Sequence, residues 1–208
     1  MTITAKHIQR SNIIVTFPDG TLRLPEAAQI FALYTGEAAK GSVFSDTPSM
    51  ATRVFEFPVP GLQWVFEPNR IRIEDKSARQ PSESRLAYEL HRVLAVLYPD
   101  RKPAAYGFNY DSIYRVDTVI PTGEIMKSFL KPSAVDDVAD FGWQYTLSKD
   151  KGKRTETYFF KVVSPIEYSV HANFHYNETV LPKSGDLQSG FERSYADVDE
   201  SLAHMKFS

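Results

Sequence analysis

The chain has 208 residues, a formal net charge of −2, 42% hydrophobic and 13% aromatic residues, and no cysteine. That length suits one domain spanning 1–208, with enough chain to bury a core unaided. The near-neutral charge lacks the basic excess of a dedicated nucleic-acid binder, and without cysteine there are no disulfides or sulfur-ligated metals. No apolar run approaches the ~18 residues of a membrane span, and the first residues lack a signal-peptide pattern. The expectation is a soluble cytoplasmic protein with no membrane partner.

Taken in order, residues 11–24 predict a hairpin. Ile13 to Phe17 is β-branched and aromatic, Pro18-Asp19-Gly20 is a turn, and Thr21 to Leu24 alternates. Pro25 opens a short helix through Ile30 and Tyr34 that Gly36 ends. Residues 36–52 are rich in Gly, Ser, Asp, Thr and Pro and predict a loop. Val54 to Val59 predicts a strand, and Pro58 and Pro60 mark it as a sheet edge.

The stretch 62–114 carries the clearest pattern. Leu62, Trp64 and Phe66 alternate with Gln63 and Glu67; after Pro68-Asn69, Ile71 and Ile73 alternate with Arg70, Arg72 and Glu74. This predicts a hairpin with one buried and one wet, charged face. Residues 82–98 predict a helix capped by Ser82, with Leu86, Ala87, Leu90, Val93, Leu94 and Leu97 inward and Glu89–Arg92 as an exposed charge pair. Pro99 ends it. Ala105 to Val116 predicts a central strand, because both its faces carry apolar or aromatic groups.

Residues 124–130 fit strand and helix equally, and 134–141 predict a short acidic helix. Trp143 to Ser148 and Thr155 to Val163 predict a hairpin around the basic tip Lys149 to Arg154. Ile166 to Tyr176 predicts a strand with Ser169, His171, Asn173 and His175 on one face. Residues 177–194 predict a loop, and 197–206 a closing helix. Both Phe108-Asn-Tyr110 and Phe174-His-Tyr176 follow hairpins. This echo predicts two related halves, 1–120 and 121–208. The fold class expected is α+β: mainly antiparallel sheet, one main amphipathic helix packed on it, and two ferredoxin-like β-rich halves as the suggested arrangement.

Three residue sets invite a functional reading. Glu74-Asp-Lys76 closes a strand as in metal-dependent nucleases, where a carboxylate pair holds Mg²⁺ and a lysine orients water; Asp19 is the upstream acid it would need. Tyr106, Phe108 and Tyr110 resemble the aromatic strand of an RNA-recognition sheet, with Lys151, Lys153 and Arg154 as phosphate contacts. His171, Asn173 and His175 form a polar sheet face. On a strand, residues four apart lie about 13 Å apart, too far for His171 and His175 to share one ion. No glycine-rich phosphate cradle, G-x-S-x-G or H-E-x-x-H occurs.

The function expected is non-catalytic binding or assembly through a protein partner or homo-oligomer, with no cofactor and no metal. A nuclease or phosphodiesterase using Asp19, Glu74 and Lys76 is the first alternative, and an RNA-binding module the second.

Overall fold

The computed structural model describes residues 2–18, 22–128, 130–131, 138 and 141–203. Its strands are β1 (Ile3–Thr16), β2 (Val43–Thr47), β3 (Thr52–Phe57), β4 (Leu62–Glu67), β5 (Arg70–Asp75), β6 (Ala105–Val116), β7 (Gly142–Lys149), β8 (Arg154–Ser164) and β9 (Glu167–Tyr176). They form one antiparallel nine-stranded sheet in the order β2-β3-β4-β5-β1-β6-β9-β8-β7. The helices are α1 (Ala27–Phe31), α2 (Leu86–Leu97), α3 (Thr122–Lys127) and α4 (Ser184–Ala203). The expected acidic helix at 134–141 falls almost wholly outside the described residues.

The fold is α+β, but nothing divides it into two ferredoxin-like halves. β1 enters the sheet between β5 and β6, so the 62–114 unit is not a closed block, and β9 of the second half pairs directly with β6 of the first. The two echoing strands are therefore neighbours. Phe108 faces Phe174 in register, and Tyr106 stacks on Tyr176 at 4.8 Å.

The hairpin expected over 11–24 does not form. β1 pairs with β5 and β6 instead, and residues after it latch onto the β4–β5 turn through Phe17 N–H to Asn69 O and Leu22 N–H to Pro68 O. A bulge between Ile8 and Arg10 shifts the register. It puts even-numbered Ile8 on the same face as odd-numbered Ser11, Ile13 and Val15, and so breaks the alternation that would mark the strand's full length.

Nor is β3 an edge. It pairs with β2 and β4, and Pro58 and Pro60 occupy the turn after it. The edge is β2, in the segment expected to be loop.

The two long helices pack on the sheet and on each other. α2 lies over β1 and β5, α4 over β6, and the two helices touch. Leu86, Ala87, Leu90 and Val93 are fully buried beneath α2. That helix begins later than expected: Ser82, the expected cap, lies inside a single tight turn at Pro81–Glu83, Arg85 takes the N-cap position, and the Ser84 hydroxyl donates to Asp75 at 2.9 Å.

The pair Glu89–Arg92 is not solvated either. Trp64 Nε1 donates to the Tyr34 hydroxyl at 2.8 Å, which donates to Glu89 at 3.0 Å. Arg92 donates to Glu89 at 2.5 Å and to Leu33 O at 2.7 Å. Burial and the Glu89 charge push the Tyr34 hydroxyl far above its ordinary pKa, so it stays a donor.

α4 is the largest departure. Residues 184–194 were expected to be loop, yet they begin a helix of 20 residues. Its inner stripe is Leu187, Phe191, Tyr195, Val198 and Leu202, all buried. Gly190 faces the Phe108 ring, where an added Cβ would lie 3.6 Å from Cε2.

Candidate functional site

Opposite α2 and α4 the sheet presents its other face, which an antiparallel sheet can leave to solvent. The pairing register lines up a polar row across it: Glu56, Gln63, Glu74, Asn12, Asn109, Asn173, Thr157 and Thr146, one from each strand from β3 to β7 in spatial order. Neighbours in the row bond directly. Asn173 Nδ2 donates to Asn109 Oδ1 at 2.5 Å, and Asn109 Nδ2 donates to Asn12 Oδ1 at 2.8 Å. Gln63 donates to Glu56 at 2.5 Å, and the Thr146 and Thr157 hydroxyls meet at 3.1 Å. Asn12, Asn109 and Glu74 are 7%, 5% and 4% exposed, so this part of the wet face is closed off by its own neighbours.

Beside the asparagines lies an ionisable trio from three strands. Asp111 on β6 accepts from Arg10 Nε at 2.5 Å and pairs with His171 Nδ1 at 2.7 Å. Burial alone would raise the Asp111 pKa, but the hydrogen bonds and charges of His171 and Arg10 together hold it below the usual carboxylate range. Asp111 thus orients the imidazole through Nδ1, with nearly half of the His171 side chain exposed. His175 sits one register further on and bonds Asn177 Oδ1 at 2.9 Å. The two histidines have separate partners, and Asn173 stands between them. Among the described residues no group of three His, Asp or Glu side chains is arranged to hold a metal ion.

Glu74 and Lys76 do not come together as a catalytic pair. Glu74 is buried opposite Asn12, with Arg72 Nε at 3.9 Å, while the Lys76 ammonium reaches Glu56 at 3.9 Å. Asp19 lies outside the described residues.

The rings of Tyr106, Phe108 and Tyr110 face the helices, not solvent. They are 6%, 1% and 1% exposed, Phe108 meets Phe191 edge-on at 5.5 Å, and the Tyr110 hydroxyl donates to Phe191 O at 2.5 Å. α4 covers the surface on which bases would stack, a correction to the picture of an open aromatic strand.

Lys151 and Lys153 are exposed at the β7–β8 tip. Arg154 is not part of that solvated tip: it turns to the helix side and pairs with Glu156 at 2.8 Å and with Asp197.

A second candidate is the outer edge of β2. All five of its residues are exposed, Val43 by 50% and Phe44 by 36%, and among the described residues only β3 pairs with it. Natural edges are commonly blunted by lysine, proline or bulges. β2 has none of these, and its one charge, Asp46, is held by Arg53 at 3.1 Å.

Sequence reasoning missed Asp111, Arg10, Asn109 and Asn12. Asn109 alternates visibly with Phe108 and Tyr110, but the meeting of all four depends on cross-strand register. Compared with known proteins, the chain matches no family model, and no curated protein matches it.

Proposed function

We propose that the protein is a non-catalytic binding or assembly protein of the cytoplasm, working through protein–protein contacts by taking a strand of a partner, or of a second copy, onto the free edge of β2. The carrying observation is that edge: five consecutive exposed residues without the usual blunting devices. An added antiparallel strand would satisfy its outward N–H and C=O groups, and Val43 and Phe44 would supply apolar contact on alternate faces. The histidine–aspartate pair on the open face fits this reading as a bonded surface feature, since the clefts of about 490 and 420 Å³ both lie on the helix side.

Light scattering across a dilution series tests the self-pairing form, and affinity capture tests the partner form. The double variant Phe44→Lys, Ser45→Lys places two ammonium groups on the edge and should abolish both association and capture while leaving the fold intact. A wild-type monomer at every concentration, retaining the same partners as the variant, refutes the proposal.

A further inference from the structure

A cleft of about 420 Å³ runs between the C-terminal half of α2 and the chain that leads into α4. Its floor is Val15 and Phe17, and Leu94 and Leu181 form its walls. Val180 at its lip is 72% exposed, an apolar side chain that nothing described covers. His91 Nε2 bonds Pro182 O at 2.8 Å and holds the two walls at a fixed separation. The cleft is therefore built, not a gap between loose segments.

Its mouth is cationic. Arg101 and Lys102 stand side by side and exposed, and neither ion-pairs with a carboxylate among the described residues. No Asp or Glu lines the cleft. Two adjacent like charges at the end of an apolar trough are complementary to one kind of ligand: an anion carrying an apolar chain.

We infer that this cleft binds a single-chain carboxylate of the fatty-acid class, its chain lying over Phe17 and Leu94 and its carboxylate between Arg101 and Lys102. This inference does not rest on strand pairing at β2.

Calorimetric titration of the full chain with hexanoate, octanoate and decanoate tests it, with acetate and 1-octanol as ligands lacking the chain and the charge. Saturable binding should tighten about three- to fourfold per added methylene, the equivalent of burying each CH₂. Acetate should not bind, and 1-octanol should bind at least tenfold more weakly than octanoate. Arg101→Glu with Lys102→Glu should weaken decanoate at least tenfold. Ala95→Trp, which fills the wall from an exposed helix position, should abolish binding. Both variants change exposed residues, and circular dichroism confirms that they fold. Affinity independent of chain length, or unchanged in either variant, overturns the inference. So does binding to phosphatidylglycerol vesicles without any binding of decanoate, which would make the cleft a membrane contact.

Discussion

Replacing Tyr34 by Phe removes one oxygen and leaves every ring contact in place. That oxygen accepts from Trp64 Nε1 at 2.8 Å and donates to Glu89 at 3.0 Å, and both Trp64 and Tyr34 are essentially sealed from water, at 0% and 5% exposure. The indole N–H would be left orphaned, at roughly 1–3 kcal/mol, and a bond to a carboxylate lost, at roughly 1.5–3 kcal/mol. Arg92 still holds Glu89, so the combined cost should fall near the lower end, about 3 kcal/mol. That is a large share of the roughly 5–15 kcal/mol that holds a domain together. With a urea m-value of about 2–3 kcal/mol/M, the unfolding midpoint should fall by roughly 1–1.5 M. Tyr88→Phe is the control, since Tyr88 is 51% exposed. The double variant Tyr34→Phe, Glu89→Gln should cost less than the two single changes summed, because they share one bond. A Tyr34→Phe midpoint within about 0.3 M of wild type, no lower than that of Tyr88→Phe, would refute the claim that this chain of bonds ties α2 to the sheet.

Two further outcomes follow from the open face. The Asp111 pKa is lowered on folding, so its contribution to stability is present above the ordinary carboxylate value, about 3.9, and is lost as pH falls through the folded value. Asp111→Asn should therefore be less stable near neutrality, by at most about 1 kcal/mol because Arg10 is largely solvated, and should converge on wild type in acid. A difference that persists unchanged at pH 2 contradicts the assignment. At Gly107 an added Cβ would meet Phe174 O at 2.7 Å, so Gly107→Ala must push β6 and β9 apart. Overpacking of this kind costs about 1–3 kcal/mol, or a Tm roughly 3–9 °C lower for a chain of this size. Gly123→Ala, with no atom within 4 Å, should not lower it; equal melting of the two variants removes the steric argument.

Some elements were legible in the sequence because burial enforces their pattern. Ile71, Ile73, Trp64 and Phe66 are fully buried, and their period of two announced the β4–β5 hairpin. The α2 stripe did the same at the helical period. β2 was illegible for the opposite reason: none of its residues is buried, so nothing imposes an alternation on Val43–Thr47. α4 did carry a readable spacing at Leu187, Phe191, Tyr195, Val198 and Leu202, but Gly185, Ser189, Gly190 and Ser194 argued for a loop. Packing overrode propensity there, and at Gly190 the missing side chain lets the helix approach Phe108. For the open face, alternation could sort residues by side but could not say which strands meet. The Arg10–Asp111–His171 trio joins residues far apart in the chain, and no local pattern encodes that.

The position of β1 bears on how the chain acquires its structure. Ile13 pairs with Ile73 on one side and Phe108 on the other, roughly 60 and 95 residues downstream. Such distant pairings are slow to close. At a synthesis rate of about 5–20 residues per second, the first strand made waits on the order of 5–20 s for its second partner to be polymerised. Until β5 is made, Ile13, Val15 and Phe17 form an uncovered apolar stripe on an unpaired strand, and until β6 follows, one edge of that strand stays open. The strand that ends up near the middle of the sheet is thus the one most exposed to misassociation during synthesis, and a chain arrested before β6 is complete would keep that hazard permanently.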